Sequence, residues 1–283
     1  MNSVLIRYSI VIVLLFGLSS WGEKAHRKIN SSCVEFFPSE LQPLKVWAPI
    51  LAAHSADADF RKKTDKTEFV KHFIDIDNYD DFNKKHRIEE NFDQAYLKYG
   101  REKIYKEGTL PWSTDSTFRA LVQNFKTGNW EKAVLTAADL GHYVGDGFMP
   151  LHVAANYDGQ LSAQTGIHSR YEETMIDRNI ENIHFQTSRC KKVTKVQSYI
   201  FNYLYSNHSY IAPLLDADIL ARKLAGYQYN DLYYQSLWNK TGLFTSRLLE
   251  ESSKTLATLI YSAWCDAGKP KIPESLMKSE KLQ

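Results

Sequence analysis

The run from Gly141 to Glu172, GHYVGDGFMPLHVAANYDGQLSAQTGIHSRYE, concentrates side chains that can bind a cation. His142 and Asp146 stand four residues apart, His152 follows, and His168 and Glu172 are again four apart. A spacing of four places two side chains on one face of a helix, one turn apart. Imidazole with carboxylate is the donor set of zinc and similar divalent ions. A single His-x-x-x-Asp pair is commonly a surface ion pair or a cap. Two such pairs with a fifth donor between them exceed what one ion needs, so the pattern points to a multi-metal cluster.

The amino terminus offers a further donor. Residues 1–20, MNSVLIRYSIVIVLLFGLSS, have Arg7 in a short head, an apolar run from Tyr8 to Leu18, then two serines. This is the pattern of a secretory signal peptide, too short for a membrane span. No cysteine follows the run, which argues against a lipoprotein anchor. Cleavage between Ser20 and Trp21 would deliver a secreted or periplasmic chain whose new α-amino group and Trp21 carbonyl form a bidentate chelate. In chain order the donors are then Trp21, His26, Asp57 or Asp59, His72, His142, Asp146, His152, His168 and Glu172. These nine groups would serve three ions if one carboxylate bridges two of them.

Helices must position these groups. Long stretches lack Gly and Pro and repeat apolar residues at three- and four-residue spacing. Helices are expected over 22–36, 40–54, 87–106, 113–125, 129–146, 167–183, 193–206, 210–225, 228–239 and 243–266. Residues 55–81 read as a loop with a brief ordered piece, 147–166 as a loop, and 269–283 as a disordered tail. No alternating β pattern or repeat appears, so the fold class is all-α, with one domain over 21–268. Lys plus Arg number 35 against 33 Asp plus Glu, a net charge of +2, which does not argue for nucleic acid. No protein partner is implied and a monomer is expected. Three cysteines, Cys33, Cys190 and Cys265, allow at most one disulfide and offer no Cys-x-x-Cys zinc motif.

With these residues in place, the chain resembles the zinc-dependent phospholipase C and S1/P1 nuclease superfamily. The matching pieces are WGEKAH at the cleavage site, ADADFR, KHFIDID, GHYVGDGFMPLH and GIHSRYE, and the resemblance runs from Trp21 to about Trp264. It implies an all-α secreted enzyme with three Zn²⁺ ions and a metal-bound hydroxide that attacks phosphorus. One zinc would take His72, His142, Asp146 and an upstream Asp. A second would take His152, His168 and Glu172. The third would take the Trp21 amine and carbonyl, His26 and the shared Asp146. Spacing in the nuclease branch favours Asp57 as the upstream ligand. The phospholipase pattern of Asp before an aromatic favours Asp59, which we adopt, and which would also orient or deprotonate the attacking water.

Both branches of the superfamily hydrolyse phosphodiesters. His168-x-x-x-Glu172 and the GIHSRYE wording resemble the phospholipase branch, as does Phe69, placed where an aromatic faces a choline head group through cation–π attraction. The five-residue step from Trp21 to His26 is that of the nucleases, and Lys24 stands where phospholipases carry an acid. Phospholipid is therefore the expected substrate, with single-stranded nucleic acid or a 3′-nucleotide as the alternative.

Overall fold

The computed structural model describes residues 22–277, and every regular element among them is helical, with no strand. The all-α expectation holds. Trp21, the expected signal segment and residues 278–283 lie outside the described residues. In chain order the α-helices are α1 (Glu23–Ser32), α2 (Ala48–Ala53), α3 (Asp57–Arg61), α4 (Asp80–Lys85), α5 (Phe92–Tyr99), α6 (Arg101–Glu107), α7 (Leu110–Lys126), α8 (Trp130–Phe148), α9 (Ile167–Ser169), α10 (Ile176–Asn179), α11 (Val196–His208), α12 (Ile211–Leu224), α13 (Asp231–Asp266) and α14 (Glu274–Met277). A π-helical turn, Arg170–Met175, joins α9 to α10.

Helix α8 is the centre of the bundle. Asn129 starts it by accepting a hydrogen bond from the Lys132 amide at 3.1 Å, an N-cap that satisfies one of the orphan donors of a helix start. Its small residues let α1 cross closely. A Cβ on Gly141 would lie 2.1 Å from Asn30 Oδ1, and one on Gly145 would lie 2.8 Å from the His26 ring. Asn30 uses this proximity to donate to the carbonyls of Leu51 at 3.2 Å and Ala138 at 3.0 Å, tying α1, α2 and α8 together.

Two apolar clusters meet at the donor residues. One includes Val144, Phe148 and Val153; the other includes Ala25, Ile29, Leu151 and Ile167. His26, His142 and His152 therefore sit in the seam, flanked by side chains whose burial removes water from around them. Among the described residues, no helix is long and apolar enough to cross a membrane.

Several boundaries differ from expectation. The helices expected over 228–239 and 243–266 are one, α13, because the Trp238 indole covers Gly242: an added Cβ would lie 2.7 Å from that ring. The indole shields backbone that glycine would otherwise expose to water. Gly100, at φ 81°, divides the helix expected over 87–106 into α5 and α6. Helix α7 starts at Leu110 rather than Ser113, with Pro111 in the first turn, where its missing N–H is no loss. Residues 39–47 form a 3₁₀ helix, whereas the five-residue α3 matches the brief ordered piece expected within 55–81. The tail expected to be disordered from 269 is anchored within the described residues. Ile272 is buried in the larger core, and the Trp264 indole donates to the Pro270 carbonyl at 3.0 Å.

Candidate metal centre

Six separate parts of the chain deliver the donors to one buried locus. Helix α1 brings His26, α3 brings Asp59, and the turn ending at Lys71 brings His72. Helix α8 brings His142 and Asp146, the turn after it His152, and α9 with the π turn His168 and Glu172. The side chains fall into three groups able to hold an ion: His26 with His142 and Asp146; Asp59 with His72 and His142; and His152 with His168 and Glu172.

In the first part of the cluster, His72 Nδ1 lies 3.0 Å from His142 Nε2, 2.9 Å from Asp146 Oδ2 and 3.6 Å from Asp59 Oδ1. His142 Nε2 lies 3.4 Å from Asp146 Oδ2 and 3.5 Å from Asp59 Oδ1. In the second, His152 Nε2 lies 3.2 Å from His168 Nε2 and 3.5 Å from Glu172 Oε2, with His168 Nε2 2.5 Å from the same oxygen. The other Asp146 oxygen, Oδ1, is 3.4 Å from His26 Nε2, so this carboxylate faces two groups. Donors at zinc bond lengths on the corners of a tetrahedron are separated by ~3.3 Å, which most of these separations approach.

The tautomers sharpen the argument. His152 Nδ1 faces the His72 carbonyl at 2.6 Å, and His168 Nδ1 faces the Tyr157 carbonyl at 2.9 Å. A carbonyl only accepts, so each Nδ1 carries a proton and each Nε2 turns inward, free to ligate when it carries no proton. Two Nε2 atoms and a carboxylate then converge in a buried space, an arrangement that needs a metal ion or a proton among them. His142 is held the same way, by the Ser55 carbonyl at 2.8 Å. Asp146 Oδ1 and Glu172 Oε1 are buried with no hydrogen bond among the described residues. Unmet buried acceptors of this kind are expensive, and they fit divalent cations.

With no metal ion bound, a proton takes part of the cation's place. Burial opposes charge on His142, but Asp146 and Asp59 outweigh it and lift the imidazole to about 9. Burial would raise Asp146, yet His142 and His152 hold it well below the usual carboxylate range. Asp59 is likewise depressed against its burial, by His142 and Lys62. A carboxylate so acidic is a good ligand and a weak base. Burial and His142 together push His26 down, which favours the neutral form a metal needs.

Of the two upstream acids, Asp59 joins the cluster and Asp57 does not. Asp57 pairs instead with His54, Oδ2 to Nδ1 at 2.7 Å, at the partly exposed edge of α3. One turn of helix turns two such neighbours to different faces, and only the inner one reaches His72. Trp21 lies outside the described residues. Gly22, the first described, packs against the backbone of Glu172 and Glu173, so the described residues begin beside the cluster. Lys24 points its ammonium to Asp177 at 3.3 Å.

One residue that spacing had not singled out is Glu68. Its side chain is buried and approaches His72 Nε2 at 3.6 Å, while accepting from Lys71 Nζ at 2.7 Å and from the Tyr143 hydroxyl. Arg61 extends this shell from Glu68, at 3.4 Å, to Asp139 at 3.0 Å. The signal was present as a Glu68-x-x-x-His72 pair, which resembles a surface salt bridge when read alone.

A cavity of about 220 Å³ opens beside the cluster, with His72, His152 and His168 in its lining. Phe69, 42% exposed, and Phe73 meet edge to face at 5.5 Å on one wall, and Leu151 and Tyr157 add apolar surface. Asp75, Lys62 and Lys106 supply charge. Burial, with Glu107 and Asp77 nearby, raises Asp75 to about 7. No protein-family model and no curated protein matches this chain.

Proposed function

We propose that this chain is a zinc-dependent hydrolase of phosphate diesters, of the phospholipase C type. The observation that carries the reading is the meeting of inward-facing imidazole nitrogens and shared carboxylates at one buried locus, beside a pocket large enough for a head group. Asp59, His72, His142 and Asp146 would hold one ion, His152, His168 and Glu172 a second, and His26 and Asp146 with the Trp21 terminus a third. Bound there, the ions would supply Lewis acidity and a water of lowered pKa. The protein's own part is positional. Carbonyls fix His142, His152 and His168, and Glu68 steadies His72. Asp59, ionised but weakly basic, binds and orients rather than abstracting a proton unaided. The pocket rings suit a cationic head group, since aromatic faces attract one, and Asp75 would add to this once ionised.

A second reading, a single-strand nuclease, is favoured by Lys62 and Lys106 in the same pocket lining, which would attract a phosphate backbone. Purified mature protein given short-chain phosphatidylcholine and single-stranded DNA separates the two. Phosphocholine release is the expected result. Acid-soluble nucleotides without phosphocholine would overturn the phospholipase assignment in favour of the nuclease, and inactivity toward both substrates and bis-p-nitrophenyl phosphate would remove the enzyme reading.

A further inference from the structure

Arg170 stands midway between His168 and Glu172, the paired donors of one ion group. Two residues from each, it lies about half a helical turn away from both, so its side chain leaves the cluster. It is buried all the same. Its guanidinium donates to the Tyr233 hydroxyl at 3.1 Å and to the carbonyls of Thr165 at 2.9 Å and Gln164 at 3.0 Å, and lies 3.4 Å from Asp218 Oδ1. The Tyr229 ring covers it at 4.1 Å. Gln164 in turn donates to Asp218 Oδ2 and to the Leu215 carbonyl, each at 2.8 Å. The end of the loop between His152 and His168 is thereby fixed to α12 and α13.

That loop end governs His168. Gly166 follows Thr165 at φ 87°, in the left-handed region. Its amide donates to Asp158 Oδ2 at 2.9 Å, and the His168 amide donates to Asp158 Oδ1 at 3.3 Å. Tyr157, beside Asp158, supplies the carbonyl that orients the His168 ring. Arg170 holds the two carbonyls just before this turn. A buried ion pair seldom adds net stability, because desolvation offsets the attraction, so the Arg170–Asp218 pair calls for another use. A planar fork that meets two carbonyls at once fixes geometry. We propose that Arg170 is a positioning residue for the ion held by His152, His168 and Glu172. Its clamp on Gln164 and Thr165, backed by Asp218, sets where His168 stands relative to the other two donors.

The inference rests on the metal cluster and on neither substrate. Arg170→Lys keeps a charge beside Asp218 but cannot fork to two carbonyls. Zinc affinity, titrated against a competing chelator, should fall about tenfold or more at one site. In a Glu172→Gln background, which already lacks that site's carboxylate, Arg170→Lys should cost less than about twofold further. In the metal-free protein, hydrogen exchange at the Gly166 and His168 amides should quicken at least about tenfold, with the amides of α8 unchanged. Gly166→Ala keeps the guanidinium but crowds it, since the new Cβ would lie 2.6 Å from Arg170 Nη1, and should give the same one-site loss. It decides the matter if Arg170→Lys does not fold. Unchanged zinc affinity and exchange would overturn the inference, as would an equal loss at every site, the mark of a general structural role. Wild-type protein that binds no zinc would remove the metal reading and this inference together. Wild-type protein that binds three ions yet hydrolyses no phosphodiester, with the one-site loss in the variants, would sink the proposed function and leave the role of Arg170 standing.

Discussion

Asp146 faces His72 through one oxygen and His26 through the other, and this sharing ranks the residues. Asp146→Asn should reduce bound metal at two sites together and lower hydrolysis by at least about 100-fold, since even ligand-supporting partners are worth 10- to 100-fold; elemental analysis and rate measurement check both. Asp59→Asn should lose metal and activity, whereas Asp57→Asn should stay within about twofold of wild type, its partner being the exposed His54. Glu68→Gln should weaken metal binding by about tenfold or more without removing a ligand. Its carboxyl is buried, which would raise it, but hydrogen bonds to His72, Lys71 and Tyr143 hold it well below the usual glutamate range. A depressed carboxylate contributes stability above its unfolded value, near ~4.3, and loses it as the pH falls toward the folded value. Urea midpoints of the metal-free protein should therefore fall below about pH 4.3, with a shallower slope for Glu68→Gln; identical slopes would remove that role.

At the scale of elements, the crossing of α1 over α8 sets the geometry. Gly141→Ala would drive a methyl to 2.1 Å from Asn30 Oδ1, disturbing the two carbonyls that Asn30 binds. A loss of about 1–3 kcal/mol in urea unfolding is expected. Gly145→Ala presses instead on the His26 ring and should lower metal content at that site with a smaller effect on stability. The paired donors on α8 were legible because helical spacing alone brings them together. The choice between Asp57 and Asp59 depended on which face of a short helix turns inward, a tertiary fact that two acids in one turn do not reveal. Gly242 misled in the opposite way: glycine lowers helix propensity, but Trp238 on the same helix covers the gap. The π turn at Arg170–Met175, which leaves Arg170, Tyr171 and Glu172 all buried, has no periodic signal in sequence.

For the molecule as a whole, the donors lie in the seam between two apolar clusters, so a metal bound there would be linked to the fold. Chelation should lower the thermal midpoint, because ions that bind only the native state stabilise it by mass action. Gly22 packs against Glu172 and Glu173, which makes the starting residue consequential. A protein beginning at Trp21 should hold more zinc than one beginning Met-Trp, and equal contents would contradict the terminal chelate. The most direct test is anomalous scattering at the zinc edge from crystals of the mature protein. Three peaks are expected: one among Asp59, His72, His142 and Asp146, one among His152, His168 and Glu172, and one beside His26 and Asp146. A protein saturated with zinc in solution that shows no peak at any of these positions would contradict the metal cluster and the hydrolase built on it.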